Sequence, residues 1–260
     1  MVRIIMRGCN GKMGQVISGL AAEDQETEIV AGVDLSDHIK NPYPVFRSIE
    51  ECSVEADVVV DFSSAAGAAA ASVDALLNYC GQKKLPLVLC TTGLSEEQLA
   101  HVEEVSKKTA VFRSANMSLG INLLQKLLKE AAAVLAPAGF DIEIVEKHHN
   151  QKLDAPSGTA LALADSINDE MGGAYEYVYD RSQVRQKRDK KEIGISAVRG
   201  GTIVGDHDVI FAGEDEVITF SHRAYSKTVF GKGALEAAKF LAGKPAGMYD
   251  MSDVIEKDFR

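Results

Sequence analysis

No Cys-x-x-Cys pair and no metal-ligand spacing links the four cysteines, Cys9, Cys52, Cys80 and Cys90. That excludes a disulfide framework and a cysteine-built metal site, and leaves reduced, partly buried thiols of a cytosolic protein as the expectation. No apolar stretch approaches the roughly 18 residues of a membrane-spanning helix. The N-terminus also lacks the charged-then-apolar layout of a secretory leader, so a soluble, cytoplasmic protein is expected. Positive charge is scarce: 28 Lys and Arg stand against 38 Asp and Glu, a net charge of −10. Nucleic acid and anionic membranes are therefore poor partners. The one basic run, Arg185-Gln-Lys-Arg-Asp-Lys-Lys191, reads as a solvated loop or as a collector for an anionic substrate.

What the chain does have is alternation. With 260 residues it can bury a substantial core, and two modest domains fit better than one. Short apolar runs at 2–6, 28–33, 57–62, 85–90 and 110–114 read as strands. Helical patterns at 15–22, 65–79 and 95–107 lie between them, the last opened by the capping-box sequence Ser95-Glu-Glu-Gln98. Continuous apolar strands alternating with helices predict an α/β fold, a Rossmann-like, doubly wound parallel sheet.

The first strand runs directly into the turn Gly8-Cys9-Asn10-Gly11-Lys12-Met13-Gly14. Glycines there let backbone N–H groups approach a pyrophosphate at the positive end of the following helix. The next strand ends at Asp34, twenty residues past Gly14, where a dinucleotide fold places the acid for the adenosine ribose. Leu35 follows, with no arginine beside it for a 2′-phosphate, so NADH is favoured; Lys12 leaves NADPH possible. Ligands bind at the carboxyl edge of such sheets. Cys90, Thr91 and Thr92 end one later strand, and Ser114, Ala115, Asn116 and Met117 another, small groups suited to ribose or nicotinamide contact.

From Met117 the character changes. A long amphipathic helix reaches Leu135, and alternating runs at 192–198, 204–212 and 216–224 predict a second, α+β domain with an open mixed sheet. An open face suits contact between subunits, so a homo-oligomer is expected. The pattern at 233–241 returns to helix. The expected division is 1–116 with 231–260 for the dinucleotide-binding domain, and 117–230 for substrate binding and oligomerisation. Arg199-Gly-Gly201 and Gly205-Asp-His207 read as turns between strands, whose Arg199 and His207 could also reach a ligand.

The most informative segment is Glu146-Lys-His-His-Asn-Gln-Lys152-Leu-Asp-Ala-Pro-Ser157-Gly-Thr159. Two histidines and a lysine follow an alternating run, and a Pro-Ser-Gly-Thr turn opens the next helix. Proton donors, a cation and a helix N-terminus within about a dozen residues suit a small, doubly negative substrate. His149 and the N–H groups of Gly158 and Thr159 are the candidate carboxylate contacts. Another two-domain oxidoreductase, or a non-catalytic NADH sensor, would share the first domain without needing this block.

These landmarks, with Asp61-Phe-Ser63, Thr91-Thr-Gly93 and Arg199-Gly-Gly-Thr-Ile-Val-Gly-Asp-His207, make the chain resemble the bacterial 4-hydroxy-tetrahydrodipicolinate reductases, also called dihydrodipicolinate reductases, of the diaminopimelate route to lysine. They run in order over most of the chain. The resemblance implies NAD(P)H-dependent reduction of a cyclic imine dicarboxylate by a tetramer. It assigns His148 as general acid/base, and Lys152 as second proton donor or electrostatic partner. Some members carry Arg-His where this chain has Asn150-Gln151.

Overall fold

Apolar, β-branched runs too short to be read by period build the first sheet. The computed structural model describes residues 1–36, 38–64, 70–183 and 185–258. In chain order the elements are β1 (Val2–Arg7), α1 (Lys12–Glu23), β2 (Thr27–Val33), β3 (Val45–Phe46), β4 (Val58–Asp61), α2 (Ala70–Lys83) and β5 (Leu87–Leu89). Then come α3 (Glu96–Ser106), β6 (Ala110–Phe112), α4 (Leu119–Leu135), β7 (Asp141–His148), α5 (Gly158–Glu170) and β8 (Glu176–Tyr179). The chain closes with β9 (Glu192–Arg199), β10 (Gly205–Ala212), β11 (Val217–Ala224), α6 (Thr228–Leu241), β12 (Gly247–Tyr249) and α7 (Met251–Asp258). These fall into two compact units, 1–118 with 228–260, and 119–227.

The first unit holds a parallel sheet in the order β12-β6-β5-β4-β1-β2-β3. Ile4, Ile5, Val59, Leu87 and Val111 are wholly buried, as strands covered on both faces must be. Ser95 and Gln98 close the expected capping box on α3. The doubly wound parallel sheet agrees with the sequence reading. β3, β8, β12 and α7 were not expected, because two- to four-residue strands and an eight-residue helix carry too little pattern to register. Of the helix expected over 65–79, residues 65–69 lie outside the described residues.

The second unit has a mixed sheet, β11-β10-β7-β9-β8, in which β7 runs parallel to β9 and antiparallel to β10. Its inward face packs Ile142, Ile144, Ile195 and Phe211 against Leu124 and Leu128 of α4 and Leu163 of α5. The other face is open: Val217 is 62% and Val198 45% exposed. The basic run is not simply solvated. Arg188 reaches Glu143 and Asp141 at 2.9 Å each, tying the loop to β7, because alternation puts both acids on the open face. Among the described residues, no helix is long and apolar enough to cross a membrane.

Two helical glycines test this packing with opposite signs. A Cβ on Gly233 of α6 would stand 1.6 Å from the Met117 carbonyl oxygen, whereas one on Gly19 of α1 would meet nothing within 4 Å. Gly233→Ala is expected to cost about 2 kcal/mol through overpacking, lowering Tm by roughly 5 °C. Gly19→Ala is expected to stabilise by about 0.5–1 kcal/mol through helix propensity. Thermal unfolding of both variants checks the pair.

Candidate active site

The sequence-predicted residues form two clusters, one in each unit. In the first, β1 delivers Gly8 at φ +79°, with its Cα so close to the Phe62 carbonyl that a Cβ would lie 2.8 Å from the oxygen. Gly14 is tighter still, its Cβ position 2.1 Å from Gly8 O. Glycine at both lets the turn fold flat onto the sheet and the helix sit directly against it. Gly11 is the N-cap of α1 and has no side chain to cap with, so first-turn N–H groups at Lys12 and Met13 are left for an anion.

The turn is braced from within. Asn10 N donates to Asp34 Oδ2 and Ser36 N to Asp34 Oδ1, both at 2.9 Å. The Asn10 amide donates to the Ser36 carbonyl and accepts from Asn41. Cys9 is fully buried against Gly32, and burial, then the Asp34 charge, pushes its thiol up to about 11. The side chains of Cys9 and Asn10 are thus taken up in holding the turn together.

A cavity of about 480 Å³ is lined by Gly8, Gly11, Asp34, Leu35, Arg47 and Ser63, among others, a size suited to part of a nucleotide. Arg7 and Arg47 also line it, cations that the sequence pattern, with Lys12 in the turn and no arginine beside Asp34, did not point to. Arg47 follows the two-residue β3, which had no readable signal. Arg7 lies in β1 and pairs with Asp61 at 2.8 Å; Asp61 also accepts from Thr91 Oγ1 at 2.6 Å.

The other strand-end candidates stand apart from that cavity, at the carboxyl ends of β5 and β6. Cys90 is half-buried, and its thiol is held well above its ordinary value by desolvation and the Asp61 charge. Thr92 and Ala115 are exposed and Met117 is buried. Ser114 Oγ donates to the Asn116 carbonyl, and Asn116 Oδ1 accepts from Ser118 N.

The second cluster sits where the inward row of the mixed sheet turns from apolar to polar. Along β7 the row reads Ile142, Ile144, Glu146, His148, so the strand takes in the start of the Glu146–Thr159 segment and carries His148 into the fold. β9 brings Arg199 level with His148, and β10 brings His207 level with Glu146. Arg199 is therefore the last residue of β9, a correction to its reading as a turn residue, while Gly205 and His207 lie within β10, as the alternating run at 204–212 predicts and not in a turn. The sequence reading gave Glu146 no role.

Glu146, wholly buried, accepts from Arg199 Nη2 at 2.6 Å and Nη1 at 2.7 Å, from His148 Nδ1 at 2.6 Å and from Ser157 N at 3.0 Å. Burial raises its pKa, but the Arg199, His148 and Ser157 hydrogen bonds outweigh it and hold the carboxyl below the ordinary range. Ser157 Oγ caps α5 by accepting from Ala160 N at 3.1 Å, with Gly158 and Thr159 following in the first turn. Lys152 Nζ is 2.8 Å from Asp154 Oδ2. His149 is half-buried just beyond the strand.

His207 completes the cluster. Its Nε2 is 3.0 Å from Ser157 Oγ, and its ring stands edge-on to His148 with centroids 5.2 Å apart. Burial first, then the neighbouring His148, pushes its pKa down to about 4. The unfolded chain takes up this proton near pH 6.5 and the folded chain near 4, so between them the unfolded state binds more protons. The contribution of neutral His207 to stability is thus complete above pH 6.5 and falls by about 3 kcal/mol as pH drops towards 4. Denaturant unfolding from pH 7 to pH 4 should show that slope, and His207→Asn should flatten it.

Comparison with known proteins agrees with this geometry. Residues 2–117 match the family model described as dihydrodipicolinate reductase, N-terminus, and residues 120–255 match that for the C-terminus. The 4-hydroxy-tetrahydrodipicolinate reductase of Caldanaerobacter subterraneus subsp. tengcongensis is 56% identical over 99% of both chains, and that of Clostridium tetani 55% over 96% of each. A solved structure, dipicolinate-bound dihydrodipicolinate reductase from Paenisporosarcina sp. TG-14, is similar with TM-score 0.80 and 25% identity, over 96% of this chain and 97% of that one. The chain belongs to the dihydrodipicolinate reductase family.

Proposed function

We propose that the chain reduces 4-hydroxy-tetrahydrodipicolinate to tetrahydrodipicolinate in lysine and diaminopimelate biosynthesis. The observation that carries this reading is the buried Glu146–His148 pair beside Lys152 and the N-terminus of α5. A proton donor, a cation and an anion-receiving helix end meet there, as a cyclic imine dicarboxylate requires. The relatives named above carry this activity in their names.

Loss of the 4-hydroxyl with a neighbouring ring hydrogen, as water, leaves a conjugated ring, and to that ring the reduced nicotinamide, when bound, would supply hydride. His148 gives a proton to the enamine-like centre that hydride addition leaves. Lys152 balances charge at the ring or shares proton delivery. His149 and the Gly158 and Thr159 N–H groups receive carboxylate, since two buried and unpartnered charges would cost several kcal/mol. The Gly8–Gly14 turn holds pyrophosphate and Asp34 the adenosine ribose. Residues 90–92 and 114–117 border the nicotinamide end. NADH is the favoured donor and NADPH an accepted one.

Division 1–116 with 231–260 for the cofactor, and 117–230 for substrate and assembly, is part of the same proposal. So is a homotetramer built across the open face of the mixed sheet, and so is a cytoplasmic location, which suits four free cysteines.

NADH oxidation, with substrate generated in the cuvette from pyruvate and aspartate semialdehyde by the upstream synthase, tests the reaction. His148→Gln and Lys152→Ala are each expected to lower turnover about 100-fold or more while NADH Kd is unchanged. Loss of NADH binding in Lys152→Ala would sink the division of labour. Analytical ultracentrifugation is expected to give a tetramer, dissociated by Val217→Lys.

A further inference from the structure

We propose that Glu146, clamped by Arg199, is the positioning residue that sets which nitrogen of His148 handles the proton and how readily it does so. The inference rests on His148 being the proton donor of the proposed reaction. An ionised carboxylate can only accept hydrogen bonds. With four donors on it and no solvent access, Glu146 keeps a proton on His148 Nδ1 in both charge states of the ring. All proton exchange is then left to Nε2. That nitrogen is seated over the backbone of Gly205, where a Cβ would approach it to 3.0 Å, so the ring has a floor as well as an anchor.

Arg199 has a separate job. A carboxylate with no other partner would stabilise the imidazolium strongly and make His148 a reluctant acid. The bidentate guanidinium draws on both carboxylate oxygens and so shares the carboxylate's charge with the ring. Arg199 Nη2 also donates to the Asp154 carbonyl at 2.7 Å, fixing the loop that carries Lys152. The groups facing His148 are thus Glu146 on its own strand, Arg199 on β9, His207 on β10, and Lys152 with Asp154 on the following loop. His207, buried and neutral through the working range, adds no competing charge.

The two halves of the clamp therefore move His148 in opposite directions. In Glu146→Gln, the imidazolium loses its partner and the amide can donate to Nδ1, which puts the proton on Nε2 in the neutral ring. The expected result is a fall in kcat of about 100-fold, little change in KM or NADH Kd, and an alkaline limb of the pH profile moved to lower pH. Glu146→Asp should recover part of the loss. Arg199→Gln should move the same limb to higher pH.

The tautomer is read independently of turnover by 15N–1H NMR of the histidine side chains, with the His148 signal assigned by its absence in His148→Gln. In the natural protein the neutral ring is expected to be protonated at Nδ1, switching to Nε2 in Glu146→Gln. Should that variant fail to fold, judged by circular dichroism and NADH binding, the natural tautomer and the Arg199→Gln titration decide. Protonation at Nε2 in the natural protein, or a His148 titration moved the same way or not at all by the two substitutions, would overturn the proposal. Absence of turnover in the natural protein with the NMR pattern as expected would instead overturn the assigned reaction and leave the clamp standing.

Discussion

Two carboxylates with no solvent exposure, Asp61 at the end of β4 and Glu146 near the end of β7, govern both halves of this protein. Each lies where an apolar strand row meets the carboxyl edge of its sheet. A buried carboxylate is tolerable only when donors surround it, and in both cases an arginine from a neighbouring strand, a nearby backbone N–H and a further side chain supply them. Arg7, Ser63 N and Thr91 serve Asp61; Arg199, Ser157 N and His148 serve Glu146. Removing either arginine would strand a charge in the core, so each loop at these edges is pinned by a requirement it cannot escape.

The same device produces different outcomes in the two units. At Asp61 the donors are exhausted on structure: Thr91 gives its hydroxyl to the acid, and Arg7 also donates to Ser63, bracing a strand end beside the glycine turn. At Glu146 one of the donors is an imidazole, and bracing its Nδ1 leaves Nε2 for the proton transfer proposed above.

Charge is handled locally. The chain carries a net −10, a poor field for gathering an anionic cofactor and a dianionic substrate. Lys12 and Arg47 stand by the glycine turn and Lys152 by the histidines, where the proposed function places the anions, while Arg7 and Arg199 are committed to Asp61 and Glu146. Helix N-termini add to this, since α1 starts at a glycine with nothing to cap its first turn, while α5 gives only one first-turn N–H to Ser157.

The doubly wound sheet, the glycine turn and the His148–Lys152 block were legible because each is a contiguous pattern: strand runs, glycine spacing, a dense cluster of polar groups. The sequence by itself determined that the first unit would be a parallel α/β sheet, and it singled out residues 146–159 as the candidate site. Only tertiary structure decided that Glu146 faces inward beside His148, that Arg199 from fifty-three residues away closes on it, and that Arg47 reaches the cavity of Asp34. The physical reason is register. Which residues on separate strands stand level depends on how the strands pair, and that pairing is set by the burial of whole rows of side chains. No local run of the sequence contains it.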